Sequence, residues 1–330
     1  MNQILVIGSN SFAGSQFIDF LLDKKFNVVG VSRRKEIDNK YLRYKTNKNL
    51  DKFTFYKINL NFKSDINKLI KIIKKNKIKY LVNFAAQGMV AESWINPEDW
   101  YTTNVVSNSI LIKKLSNLKL RKFLNFSTPE VYGNTKYLLS ENNVFFPTTP
   151  YAISRVAQDL NLMAYNKTYN FPVVFTRAAN IFGPYQQSYR IIPKVIISIL
   201  KNKKIPIHGS GNTLRSFIYM GDVSRALYKI LIDKNNIGET FHISSKKFIT
   251  IKDLVKLINK LMSVKKKNFF FTKERDGKDI RYTLNSNKLR KRYMWKEKTK
   301  LEEGIIETIN WIKKDIDYFV KVSLDYLHKK

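Results

Sequence analysis

Tyr151 and Arg155 stand four residues apart in Pro150-Tyr151-Ala152-Ile153-Ser154-Arg155, so in a helix they share one face. A phenol beside a fixed cation gives up its proton more readily than its ordinary pKa of about 10 implies, which suits it to deprotonate a hydroxyl group. Upstream, Ser127-Thr128-Pro129-Glu130-Val131-Tyr132-Gly133 offers a hydroxyl at Thr128 and a carboxylate at Glu130. This stretch follows an apolar strand pattern, at the edge where open α/β sheets place their ligands.

A third segment, Gly8-Ser9-Asn10-Ser11-Phe12-Ala13-Gly14, lies between a strand pattern and a helix pattern. Gly8 permits a tight turn, Gly14 lets helix and strand pack closely, and the N–H groups of the helix start face a diphosphate. The end of the second strand selects the dinucleotide, because a carboxylate there binds a ribose diol and repels a 2′-phosphate. This chain has Val31-Ser32-Arg33-Arg34 instead. A hydroxyl followed by two guanidinium groups suits a phosphate and points to NADP rather than NAD. The alternative is that Arg33 and Arg34 are two more surface cations.

These segments need a scaffold, and the hydrophobic pattern supplies one. Gln3 to Ile7, Asn27 to Val31, Phe53 to Ile58, Tyr80 to Phe84, Lys122 to Phe126 and Pro172 to Thr176 read as strands. Phe12 to Leu22, Ile66 to Ile73, Trp100 to Leu115 and Ala152 to Tyr169 carry apolar residues at helical spacing. Past Gly183-Pro184, helices are expected at Pro193 to Leu200, Asp222 to Ile232, Ile251 to Met262 and from Leu301 onward. Short strands are expected near Ile205 to His208 and Ser216 to Tyr219. The alternation predicts an α/β fold, a Rossmann-type doubly wound parallel sheet with a smaller, interleaved C-terminal α/β lobe. Residues 1–182 with about 215–243 are expected to form the dinucleotide-binding domain, and about 183–214 with 244–330 the second lobe.

The 330 residues include 60 Lys and Arg against 26 Asp and Glu, a formal net charge of +34. Such a balance raises the question of nucleic acid. The cations run along the whole chain, however, and no basic stripe interleaved with aromatics marks one element; Lys71 to Lys77 reads as the solvated face and end of a helix. A positive field still draws in small anionic substrates. With no cysteine, disulfides and cysteine-based metal sites or nucleophiles are excluded. His208, His242 and His328 share no ligand spacing, so no metal is assigned. The start, Met1 to Gly8, enters a strand pattern without signal-peptide features, and no apolar run is long enough to span a bilayer. The expected location is cytoplasmic.

The glycine turn, Asn83-Phe84-Ala85-Ala86-Gln87, the Ser127 to Gly133 segment, Pro150-Tyr151-Ala152-x-Ser154 and Arg177-Ala178-Ala179-Asn180-Ile181-Phe182-Gly183-Pro184 follow one another in a telling order. Leu214-Arg215-Ser216-Phe217-Ile218-Tyr219-x-x-Asp222-Val223, Asp276 to Tyr282, and Trp295-Lys296 leading to Leu301-Glu302-Glu303-Gly304-Ile305 complete the series. The chain thereby resembles the nucleotide-sugar 4,6-dehydratases of the extended short-chain dehydrogenase/reductase family, over nearly its whole length. Ala85-Ala86-Gln87 and the Ser-Arg-Arg turn look like the GDP-mannose enzymes, which use NADP; the later motifs look like the dTDP-glucose enzymes.

The resemblance implies that Tyr151 starts C4 oxidation of a sugar, Thr128 holds the C4 hydroxyl and Glu130 removes the C5 proton. It implies cofactor contacts from Gly8, Asn10, Ser11, Phe12, Ala13 and Gly14, from Ser32, Arg33 and Arg34, and from Asn59, Leu60, Ala85, Ala86, Gln87 and Asn104. Asn180, Arg215 and Arg281 match positions that contact the substrate diphosphate; the alternative for each arginine is an ion pair with a nearby carboxylate.

Three departures stand out. Ser11 replaces the middle glycine of the family's turn, and Arg155 replaces its lysine. Pro129 stands where the dTDP-glucose enzymes have an aspartic acid, and proline has no proton to give.

The same fold serves nucleotide-sugar epimerases and UDP-glucuronate decarboxylases, and a protein that has lost hydride chemistry is a further reading. The expected partner is a nucleotide-diphosphate sugar, with no nucleic acid and no membrane. The family implies a homodimer built on the Trp100 to Leu115 and Ala152 to Tyr169 helices. Ile312, Ile316, Phe319, Val320, Leu324 and Leu327 form a stripe at helical spacing, expected to pack on the domain or a second subunit, with a membrane-surface helix as the alternative.

Overall fold

Along the first strand, Ile4 and Val6 point to one side of a sheet while Leu5 and Ile7 point to the other, and all four are buried. A strand apolar on both faces belongs inside a layered α/β structure. The computed structural model describes residues 3–135, 137–265, 268–274, 281 and 283–328. The first half runs β1 (Gln3–Ile7), α1 (Phe12–Asp23), β2 (Asn27–Ser32), β3 (Phe53–Lys57), α2 (Lys63–Lys75), β4 (Tyr80–Asn83), α3 (Pro97–Tyr101), α4 (Asn108–Leu115) and β5 (Lys122–Ser127). It continues with β6 (Leu138–Leu139), α5 (Pro150–Tyr169), β7 (Val173–Ala178), β8 (Asn180–Phe182), α6 (Ile191–Leu200), β9 (Ile205–His208), β10 (Leu214–Arg215) and β11 (Phe217–Tyr219). The rest is α7 (Met220–Ile232), β12 (Thr240–Ile243), β13 (Ile249–Thr250), α8 (Ile251–Leu261), β14 (Phe269–Thr272), β15 (Thr283–Leu284), α9 (Asn287–Tyr293), α10 (Leu301–Lys314) and α11 (Ile316–Phe319).

Seven parallel strands form the main sheet in the order β12-β7-β5-β4-β1-β2-β3. The order reverses at β1, with β2 on one side and β4 on the other, and this is the crevice where doubly wound folds bind ligands. Helices α1 and α7 cover one face with Phe17, Leu21, Val223 and Leu227; α2, α4 and α5 cover the other with Ile66, Leu69, Leu111 and Leu162. The chain leaves the sheet after β7 and returns for α7 and β12, where Thr240–Ile243 pair with Phe175–Ala178. A third core, from Ile192, Ile196, Leu254, Ile258, Ile305 and Ile309, holds α6, α8 and α10 together as the second lobe.

Two elements differ from the sequence expectation. Trp100 to Leu115 is not one uniform helix, because a π turn at Thr102–Ser107 separates α3 from α4. Such a turn adds a residue per turn and re-aims the side chains it carries. The C-terminal stripe is also not a single helix. Helix α10 stops at Lys314, the chain bends at Asp315, and α11 lasts four residues. Ile312 and Phe319 bury into the second-lobe core, whereas Leu327 is exposed. Among the described residues no helix is long and apolar enough to cross a membrane.

Candidate active site

Gly8 has a φ of +86°, and a Cβ there would press on the backbone of Phe84 and Ala85 beyond β4. A Cβ on Gly14 would run into the Gly8 carbonyl oxygen. Both positions therefore need glycine, and together they let the start of α1 approach the crevice. Ser11 has an ordinary extended conformation and needs no glycine; it is the N-cap of α1. Its Oγ accepts from Gly14 N at 3.0 Å and donates to the Gly8 carbonyl at 2.7 Å. The serine thus stabilises the turn by hydrogen bonding. The next helical N–H groups, those of Phe12 and Ala13, lack intrahelical partners as at any helix start, the kind of end that suits an anion.

Ser32 ends β2, and its Oγ accepts from Asn10 N at 3.0 Å and lies 3.3 Å from Ser9 Oγ. Asn10 Nδ2 donates to the Lys35 carbonyl at 2.9 Å, so the segment carrying Arg33 and Arg34 is tied over the glycine turn. Arg33 is half-buried and Arg34 exposed. On the third strand's side, Asn59 N donates to Asp65 at 2.7 Å and Leu60 is buried. Beyond β4, Asn83 Oδ1 accepts from Ala85 N at 3.1 Å and starts the turn that carries Ala85, Ala86 and Gln87. The π turn directs Asn104 inward, where its Oδ1 accepts from Gln87 N at 2.7 Å and its Nδ2 donates to the Gln87 carbonyl at 3.0 Å and to Ser154 Oγ at 2.9 Å. Asn104 therefore positions Gln87 and links it to α5. The glycine cradle, the capped helix start and this clamped turn together fit a pyridine dinucleotide.

The third strand from the edge, β5, ends at Ser127, and Thr128 is the N-cap of a 3₁₀ turn over Pro129–Tyr132. Pro129 fits the first position of that turn, where no N–H is needed. Gly133, at φ +63°, closes it against the Phe146 carbonyl. Helix α5 begins at Pro150 with Thr149 as its cap, and Ser93 Oγ accepts from Tyr151 N at 3.1 Å. These starts bring Tyr151, Thr128, Glu130 and Arg155 together: the phenol hydrogen-bonds the Thr128 side chain and lies in the fields of Arg155 and Glu130.

Here the structure corrects the expectation of an easily ionised phenol. Burial raises the Tyr151 pKa, Arg155 opposes that rise, and the Glu130 carboxylate adds to it. The direction is upward because loss of water costs the phenolate more than one guanidinium returns. Arg155 is 3% exposed; its Nη2 donates to the Phe126 carbonyl, and its buried Nε has no hydrogen-bond partner among the described residues.

Behind the site lies a buried polar chain that sequence reasoning missed. Asp159 accepts from Ser127 Oγ at 2.7 Å, from Asn125 Nδ2 at 3.0 Å and from Arg177 Nη2 at 2.7 Å. Arg177 also donates to Tyr132 Oη at 2.7 Å, and Tyr132 meets His242 Nε2 at 2.8 Å. Burial, then Arg177, hold the His242 pKa down to about 3. Burial pushes the Tyr132 phenol up to about 12, against the pull of Arg177. This chain fixes both ends of the Ser127–Tyr132 segment.

On the second-lobe side, β8 pairs with β11 so that Asn180 lies beside Phe217, and Leu214 bridges to Arg281. Arg215 and Arg281 thereby sit at adjoining positions of neighbouring chain segments. Arg281 Nε is buried with no hydrogen-bond partner among the described residues. Asp276 to Ile280 and Tyr282 of the final motif lie outside the described residues.

A family model described as GDP-mannose 4,6 dehydratase matches residues 5–308. A trifunctional UDP-glucose 4,6-dehydratase, epimerase and reductase of Arabidopsis thaliana is 33% identical over 253 residues, 74% of this chain. The chain spans only 37% of that relative's length. The dTDP-D-glucose 4,6-dehydratase of Mus musculus is 33% identical over 251 residues, covering 74% of this chain and 70% of the relative. The crystal structure of a Bacillus anthracis dTDP-glucose 4,6-dehydratase in complex with NAD superposes with a TM-score of 0.86 at 27% identity, covering 96% of this chain and 98% of that one.

Proposed function

Because the chain belongs to the GDP-mannose 4,6-dehydratase family, we propose that it converts a nucleotide-diphosphate sugar to its 4-keto-6-deoxy form. The observation that carries this reading is the convergence of Tyr151 with Thr128, Glu130 and Arg155 at the carboxyl end of β5. We assign the dinucleotide to residues 1–182 with about 215–243, and the sugar nucleotide to the lobe of about 183–214 with 244–330. A bound pyridine nucleotide supplies an acceptor that takes the hydride from C4 and later returns it to C6.

Within that frame the chain's own residues move protons and hold geometry. Tyr151 takes the C4 hydroxyl proton, with Thr128 hydrogen-bonded to the same oxygens. Arg155 opposes the burial that holds the phenol protonated, and so makes that transfer less costly. Once C4 is a ketone the C5 proton is acidic, and Glu130 removes it. Pro129 cannot protonate the departing C6 hydroxyl, so the proton gained by Glu130 goes to that group as water leaves. Glu130, reprotonated from solvent, then delivers a proton to C5. Asn180, Arg215 and Arg281 hold the substrate diphosphate. A screen of GDP-, dTDP-, UDP- and CDP-sugars for a 4-keto product tests the class; release of carbon dioxide from a uronic sugar, or inversion at C4 alone, overturns it.

For the finer choice of cofactor we read NADP. Arg33 and Arg34 follow Ser32 at the end of β2, and no carboxylate stands in that run to repel a 2′-phosphate. One charge-assisted hydrogen bond to that phosphate favours NADP by about tenfold or more. Equal or tighter binding of NAD in a direct titration overturns this choice. We further read the chain as a homodimer packed through the Trp100 to Leu115 segment and α5, where Val106 of the π turn and Ile153 and Leu160 of α5 are exposed. Sedimentation as a monomer contradicts that arrangement.

A further inference from the structure

After α11 the chain runs back across the carboxyl edge of the sheet. Lys201 Nζ donates to the Val322 carbonyl at 2.8 Å, and Lys194 pairs with Asp325 at 3.4 Å, which anchors the segment to α6. Tyr326 then packs edge-on against Tyr189, with ring centroids 5.2 Å apart. Its hydroxyl accepts from Gln87 Nε2 at 3.4 Å and lies within electrostatic range of Arg33. His328 stacks on the buried Trp100, centroids 5.0 Å apart and rings 10° from parallel. One ring nitrogen meets Asp99 Oδ2 at 2.7 Å and the other meets Gln87 Nε2 at 3.2 Å.

One strand of chain thus joins the second lobe to the turns after β2 and β4, across the crevice between them. We propose that Tyr326 and His328 form the outer wall of the dinucleotide cleft, a strap that holds the bound cofactor in place. The inference rests on reading Arg33 and Gln87 as cofactor-side residues. The chemistry favours retention over gating. The hydride taken from C4 is returned within the same turnover, so the cofactor need not leave between cycles, and a strap that slows its exchange costs no turnover. Both contacts of Gln87 with the strap use its side chain, while Asn104 fixes its backbone, so the strap sets where the amide points.

The test is the dissociation rate of NADPH and of NADH from the full-length protein, read by fluorescence during displacement with excess oxidised cofactor. His328→Ala should speed release by about fivefold, the usual worth of one lost hydrogen bond, and more where stacking adds. Asp99→Asn leaves the strap sequence intact and should accelerate release in the same direction. Gly14→Ala, whose Cβ would meet the Gly8 carbonyl, serves as the reference for the cleft itself. If Gly14→Ala weakens binding while both strap variants release cofactor at the wild-type rate, or bind it more tightly, the strap is overturned and the cleft stands. If Gly14→Ala also has no effect, the cleft assignment falls with it.

Discussion

Arg155 donates from Nη2 to the main-chain carbonyl of Phe126 at 2.6 Å, joining the Tyr151 face of α5 to the end of β5. The guanidinium is therefore a brace as well as a charge. A lysine has one ammonium for both tasks, where the guanidinium presents several donors in a plane.

The two roles separate by substitution. Arg155→Lys keeps the cation and should keep turnover within about tenfold, the cost of one charge-assisted hydrogen bond. Arg155→Met removes the group that lowers the Tyr151 pKa, so that pKa climbs further. In the proposed reaction the unprotonated phenolate is the working base, so the acid limb of the kcat/KM profile should move to higher pH. A methionine variant whose profile does not move would show that Arg155 does not act on Tyr151.

His242 ends the polar chain that runs from Asp159 through Arg177 and Tyr132, and it is fully buried. Its folded pKa of about 3 lies below the 6.5 of an unfolded histidine. The unfolded chain therefore binds the extra proton first. Stability present above pH 6.5 is lost progressively as pH falls toward 3. From pH 7.5 to 5 this single group should cost about 2 kcal/mol. His242→Gln keeps a side chain that can meet Tyr132 and cannot titrate, so urea unfolding of that variant should show a pH dependence flatter by that amount. Parallel curves for the two proteins would show that His242 does not set the acid sensitivity of the fold.

Ser11 caps α1 through Gly14 N, and the cap replaces the glycine of the family pattern. Ser11→Ala should lower stability by about 1 kcal/mol. In a protein of 330 residues, that corresponds to a fall of only about 1–2 °C in melting temperature. Gly14→Ala should abolish dinucleotide binding, because its Cβ has no room against Gly8. Wild-type binding by the alanine variant would mean that the turn is not the cradle.

The sheet was legible because its strands are apolar on both faces, and the site strands end at Ser32, Asn83 and Ser127, each within one residue of the expected ends at Val31, Phe84 and Phe126. The motif residues were legible because glycine, tyrosine and carboxylate types recur at fixed offsets. What connects them was not. Nothing in the spacing of Asp159 and Arg177 announces a buried ion pair at 2.7 Å. Lys122 opens a strand yet is 2% exposed, donating to the Ile230 carbonyl, the Asp233 carbonyl and Asn236 Oδ1 at the end of α7. Periodicity cannot reveal a π turn, since one inserted residue looks like noise in a helical pattern, so the inward turn of Asn104 stayed hidden. The path of Tyr326 and His328 depends on tertiary contacts 239 and 241 residues away in sequence from Gln87.

In the proposed reaction one site oxidises C4 and then removes the C5 proton through Glu130. Glu130→Gln keeps the shape and removes the base. Oxidation should survive, while elimination falls by about 10²- to 10⁴-fold, the usual effect of losing a positioned acid/base group. The most direct measurement is mass and NMR analysis of the sugar product formed in heavy water. A dehydratase yields one deuterium at C5 with wild-type protein, and a 4-keto sugar still bearing its C6 hydroxyl with Glu130→Gln. A wild-type product with no solvent hydrogen at C5, or normal turnover by Glu130→Gln, would contradict it and leave C4 epimerisation as the reaction of this site.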